Sequence, residues 1–277
     1  VKGSDMPLAI NVLGIGLDHL ISIPCDADGK MDVAALSQEI DNQKRAGRMP
    51  FCVVAPAGPT VRGAFDPLPE IAEVCAREYL WLHVDAAWGG AALLSPKHRS
   101  LLAGIDLADS LCWDPHKLMG MPISCSVFLA RKANTLAKAC SHGDEANYLF
   151  HEENSRVDRG RISLQCGRRV DALKLWLAWK SLGHSGWQER VDRCMETAAK
   201  LEAKVSSNAR LVLMSERQFT NVCLRYEPVD SDGVDLDALN SSIRERISTG
   251  GRFMVTKAML GGQVIIRPVI ANPDVDG

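Results

Sequence analysis

The chain has 277 residues, 46% of them hydrophobic and 24% charged, ordinary globular proportions that exclude wholesale disorder, collagen-like repeats and low-complexity polymers. Lys and Arg total 32 against 34 Asp and Glu, a net charge of -2, so nothing draws the whole molecule toward nucleic acid or an anionic membrane, and a small molecule or a protein is the expected partner. No window approaches the roughly 20 apolar residues of a membrane helix, and nine scattered cysteines with no CxxC pair and no zinc-like Cys/His spacing predict reduced, mostly buried thiols, no metal, and a cytoplasmic location.

In chain order, residues 20–24 form a short β-branched run that reads as a strand before the Asp28-Gly29 turn. Asp32 is placed to cap a helix in which Val33, Leu36 and Ile40 share a face and Ala46-Gly47 is the stop. Residues 51–55 are apolar on both faces, as a strand in a covered parallel sheet should be. A helix over 67–78 and a strand over 79–84 complete a βαβ unit. A helix near 97–103 precedes strands at 110–113 and 125–130, and this alternation predicts an α/β layer with a largely parallel sheet. Residues 141–160 are charged and irregular, the character of a lid or a disordered loop. Helical sequence resumes over 168–183 and again from 187 to about 205. Strands at 211–214 and 221–226, a helix over 235–248, and strands at 253–255 and 264–267 then describe a small α+β unit.

Ligands of open α/β sheets sit beyond the carboxyl ends of the strands. Three polar stretches fall there: Gly58-Pro59-Thr60, His83 to Gly90, and Trp113-Asp114-Pro115-His116-Lys117. Asp85, at the end of an apolar strand, is a carboxylate whose charge needs compensation, and a cationic ring nitrogen would provide it. Lys117, on a turn after a neighbouring strand, is a nucleophile toward a carbonyl when desolvated. Pyridoxal phosphate requires both parts, an aldehyde-binding Lys and an acid partner for the pyridinium. A structural salt bridge for Asp85 and a solvated surface position for Lys117 are the bland alternatives.

The wording of the motifs adds to this. His83-Val84-Asp85-Ala86-Ala87-Trp88-Gly89-Gly90, with Trp113-Asp114-Pro115-His116-Lys117-Leu118-Met119-Gly120, resembles the group II pyridoxal-phosphate-dependent amino-acid decarboxylases, the glutamate and cysteine-sulfinate decarboxylases in particular. The similarity continues through Gly63 to Pro67, Tyr148-Leu149-Phe150, Gln165 to Asp171 and Arg267 to Pro273. The resemblance implies a fold-type I α/β large domain, incomplete, over residues 1–170, and bridging helices with a small, truncated α+β domain over 171–277. It implies pyridoxal phosphate as cofactor, a homodimer, and decarboxylation of a small acidic L-amino acid such as glutamate, aspartate or cysteine sulfinate.

By that resemblance Lys117 is the Schiff-base lysine, Asp85 the partner of the pyridinium nitrogen and Ala87 the small residue on one ring face. Thr60 lies near the cofactor and Asp85, and His116 on the phosphate and reacting-centre side. Asp114 is cofactor-proximal at a position where many relatives carry Asn, and Arg267 is the residue for the substrate α-carboxylate. Two departures stand out. No Tyr occurs between Glu152 and Ser163, where relatives have their proton donor, leaving His151 as a substitute. The family's phosphate-binding serine loop and ring-stacking residue belong upstream of Val1, so the chain reads as the middle and late part of a longer decarboxylase. The alternative is a non-catalytic remnant that does not hold the cofactor alone.

Overall fold

The computed structural model describes residues 5–140, 160–165 and 167–275. Helix α1 (Asp5–Val12), not foreseen from the sequence, is followed by α2 (Val33–Arg45). The Asp32 carboxylate accepts the N–H groups of Ala34 and Ala35 at 2.9 and 3.0 Å, and α2 buries Leu36 and Ile40 as its periodicity requires. Residues 20–24 are not a strand; the pairing in this region is a single bridge, Cys25 to Met31, around the turn. An apolar run becomes a strand only with a hydrogen-bonding neighbour, and among the described residues none lies beside it.

The first sheet has the order β1 (Cys52–Pro56), β2 (Trp81–Asp85), β3 (Ser110–Trp113), β4 (Val127–Ala130). The first three strands are parallel, and β4 runs antiparallel to β3. This is the α/β layer with a mostly parallel sheet that the alternation predicts. Helix α3 (Leu68–Glu78) crosses between β1 and β2, burying Leu68, Ile71, Val74 and Cys75. Tyr79 caps it in the left-handed region, φ 57°, so the following strand begins at Trp81 rather than at Tyr79. The expected helix near 97–103 is a short 3-10 turn, Arg99–Leu102, flanked by further 3-10 turns at Gly89–Leu94 and Ile105–Leu107.

After α4 (Thr135–Ala139) comes α5 (Asp171–Ser206), broken at Gly183, where φ 64° and ψ -174° interrupt the helix. Its middle residues Trp187, Val191, Cys194 and Met195 pack into the core of the first sheet, while Ala198 and Val205 pack into a second, smaller core. That second core sits on an antiparallel sheet of order β5 (Leu211–Leu213), β6 (Leu224–Tyr226), β8 (Gln263–Arg267), β7 (Thr256–Leu260), with α6 (Leu236–Thr249) against it. The strand expected at 253–255 lies instead at β7; Phe253 and Met254 are exposed. A two-residue turn, Gly261-Gly262 with φ 57° and 80°, joins β7 to β8, and positive φ at both positions matches the twist of a tight hairpin. Among the described residues no helix is long and apolar enough to cross a membrane.

Candidate active site

The carboxyl ends of β1, β2 and β3 form one rim. Asp85 closes β2, in register with Pro56 on one side and Cys112 on the other. Its Oδ1 accepts the Ala87 N–H at 3.1 Å and the Cys112 thiol at 3.4 Å, and its carbonyl accepts the Ala57 N–H at 2.8 Å. Burial, then the charge of Asp85 and the bond to it, pushes the Cys112 thiol up to about 12, so the sulfur stays protonated and donates. Asp85 also lines a mostly apolar cavity of about 850 Å³, shared with Pro56, Pro59 and Asp66. Asp66 accepts the Met31 N–H at 2.8 Å, yet burial outweighs this bond and pushes its carboxyl up to about 6.

The loops after β1 and β2 touch backbone to backbone. A Cβ on Gly58, where φ is 71°, would lie 2.8 Å from the Gly89 Cα, and one on Gly89 would run into the Ala57 carbonyl. These glycines let the Pro59-Thr60 turn sit beside Asp85. The Thr60 side chain is exposed, whereas its carbonyl accepts from Asn221 Nδ2 and Arg267 Nη1. Arg267, at the end of β8, is 9% exposed; burial lowers its pKa, and its Nε has no partner among the described residues. The structure therefore brings Arg267 to the rim from the second sheet, against the Thr60 main chain.

Lys117 lies on the turn after β3. The Asp114 N–H donates to the Ala87 carbonyl at 3.2 Å, lacing this turn to the loop that follows Asp85. The Lys117 N–H then donates to the Asp114 carbonyl at 2.9 Å, and the next two residues, Leu118 and Met119, are buried and anchor the turn in the core. Lys117 Nζ pairs with Asp114 Oδ2 at 2.9 Å, the two side chains being 31% and 16% exposed. His116 Nδ1 lies 2.8 Å from the Cys125 carbonyl oxygen and 3.3 Å from the Cys125 N, so the ring is held against the Cys125 main chain. Thus Asp85, Ala87, Asp114, His116 and Lys117 are brought together on two laced loops, with Thr60 and Arg267 on the flank. His151 and Tyr148 to Phe150 lie outside the described residues.

The family model for the Pyridoxal-dependent decarboxylase conserved domain matches residues 8–227. The chain belongs to the pyridoxal-dependent decarboxylases. Cysteine sulfinic acid decarboxylase of Rattus norvegicus is 40% identical, with 95% of this chain and 57% of that protein covered. Acidic amino acid decarboxylase GADL1 of Mus musculus is also 40% identical, over 98% of this chain and 52% of that protein. Among solved structures, mouse CSAD superposes with a TM-score of 0.92 at 36% identity, covering 99% of this chain and 59% of that one. Oryza sativa TDC with PLP and tryptamine superposes with 0.89 at 27%, covering 98% and 56%. The chain spans little more than half the length of the curated relatives it matches.

A pyridoxal-dependent decarboxylase needs a fixed anion for the ring nitrogen and an amine for the aldehyde. The rim fits both needs. Two donors hold Asp85 Oδ1, among the described residues none reaches Oδ2, and the Lys117 amine stands on the adjoining laced turn. Sequence reasoning missed Cys112, which reaches Asp85 through strand register, and Asn221, whose contact with Thr60 spans 161 positions. A polar Asn just before a strand was the available signal for the second; nothing local announced the first.

Proposed function

We propose that this chain serves pyridoxal-phosphate-dependent decarboxylation of a small acidic L-amino acid, glutamate, aspartate or cysteine sulfinate, with Lys117 holding the cofactor through its aldehyde. The observation that carries the reading is the placement of the Asp85 carboxylate and the Lys117 turn at the ends of adjacent parallel strands, joined by the bond from Asp114 N–H to the Ala87 carbonyl. When bound, pyridoxal phosphate supplies a sink for the electrons left behind as carbon dioxide departs. Asp85 holds a proton at the ring nitrogen by Coulombic attraction. Ala87, Thr60, Asp114 and His116 would line the site that holds the cofactor.

Arg267 takes the substrate carboxylate in this reading. Its guanidinium rests against the Thr60 main chain on the rim, and a planar fork suits an anion with two oxygens. Relatives named for cysteine sulfinic acid and acidic amino acids support an acidic substrate. A homodimer fits the reading, supported by the exposed Leu173, Trp176 and Leu177 on α5.

The test is carbon dioxide release from the three amino acids in the presence of pyridoxal phosphate. Asp85→Asn should lower turnover by about a hundredfold, because the charge favouring the ring proton is gone, with a smaller loss of cofactor binding. Unchanged turnover in that variant would remove Asp85 from the role. A wild-type chain that neither takes up the cofactor nor releases carbon dioxide would favour the non-catalytic remnant.

A further inference from the structure

We infer that Cys112 is a positioning residue for Asp85: its thiol, together with the Ala87 N–H, fixes Oδ1 and leaves Oδ2 as the oxygen available to a cationic ring nitrogen. The inference deepens the proposed function and rests on it for the identity of the cation.

The contact is built into the sheet. Asp85 and Cys112 are register partners on parallel strands β2 and β3, and residues in register on neighbouring strands project to the same face within reach of one another. A carboxylate at a strand end turns easily about its last bond, and one donor from its own loop would leave that rotation loose. Here the Ala87 N–H at 3.1 Å comes from the loop and the Cys112 sulfur at 3.4 Å from the next strand. Two donors from different segments meet on one oxygen, and among the described residues no donor reaches the other.

The choice of a thiol is also informative. A sulfur donor is weak, so it orients the carboxylate while withdrawing little of the negative charge that must act on the ring nitrogen. A charged donor such as Arg would instead neutralise Asp85 and spoil it as a counter-ion. The elevated pKa of the thiol keeps it a donor throughout the neutral range and argues against Cys112 as a nucleophile.

Infrared spectroscopy of the chain reads the bond directly, because the S–H stretch lies in a window clear of other protein bands. The difference between wild type and Cys112→Ala isolates this thiol from the other eight of the nine cysteines. The expected band lies at the lowered frequency of a hydrogen-bonded thiol and moves to the unbonded frequency in Asp85→Ala. Asp85→Asn, which keeps the side-chain shape with a weaker acceptor, should give an intermediate position if the Ala variant fails to fold. A wild-type band at the unbonded frequency overturns the inference.

A second readout is titration with pyridoxal phosphate, followed by the visible absorption of the bound cofactor. Cys112→Ala should weaken binding on the order of threefold to tenfold, and Cys112→Ser, which retains a donor, should recover most of it. Equal binding by wild type and Cys112→Ala overturns the positioning role even if the thiol is bonded. A wild-type chain that takes up no cofactor overturns the proposed function and the cofactor part of this inference. A free thiol band overturns this inference alone.

Discussion

Asp114 sets two needs of the site against each other. Its carboxylate holds the Lys117 ammonium at 2.9 Å, which keeps the lysine in place, yet an amine must be unpaired and neutral to join an aldehyde. Both groups are partly solvated, so the pair is screened and its opening costs little. Asp114→Asn preserves the shape of the turn and removes the charge partner. The expected outcome is faster and tighter cofactor attachment, by about twofold to fivefold, seen in the rate at which the visible band appears after mixing. Slower attachment in that variant would mean that Asp114 assists the lysine instead of restraining it. Arg267 shows a related tension, since a cation at 9% exposure rests on a main-chain carbonyl and keeps an N–H unpartnered. A buried donor without an acceptor is unfavourable.

At the scale of elements, a buried asparagine is one of the side chains that fasten α6 to the second sheet. Asn240 is 0% exposed; its amide donates to the carbonyls of Tyr226 and Leu236 at 2.9 and 2.8 Å, and its oxygen accepts the Tyr226 N–H at 2.8 Å. Asn240→Ala leaves the N–H and carbonyl of Tyr226 unmet at the edge of a small core. We expect a loss of about 2–4 kcal/mol in denaturant unfolding, and an unchanged midpoint would show that water takes over these bonds. Much of this architecture was legible in the sequence where local signals suffice. Asp32 caps α2 as its position predicts, and α3 and α6 fall within a residue of their expected bounds. Elements decided by partners were not legible. The run at 20–24 lacks a neighbour, and β7 is defined by its pairing across Gly261-Gly262 rather than by the more apolar 253–255 segment. The same division holds at the site. Asp85 at the end of β2 and Lys117 on the turn after β3 could be read locally, whereas Cys112 and Asn221 act through register and through contacts far apart in sequence.

For the whole molecule, α5 ties two cores together, and the carboxylates buried around them make stability depend on pH. Asp66 is 7% exposed and its folded carboxyl is pushed up to about 6 from 3.8 by burial. Between these values the folded chain binds a proton that the unfolded chain has released, so this contribution is fully present below about pH 4 and is lost as pH rises through about 6. Asp66→Asn, which can still accept the Met31 N–H, should therefore be more stable than wild type at pH 7 by about 3 kcal/mol. The gap should close toward pH 4 in thermal or denaturant unfolding, and a gap independent of pH would contradict the assignment. Asp237 works in the opposite sense: the Val264 N–H and then Arg225 hold its pKa down, and its contribution is lost on acidification. Whether this rim holds pyridoxal phosphate through Lys117 is tested most directly by the identity of the lysine that carries it. Borohydride reduction of the chain with limiting pyridoxal phosphate, followed by peptide mapping, should place the pyridoxyl group on Lys117, with Lys117→Ala losing the label. A label found on another lysine in place of Lys117 would contradict that attachment.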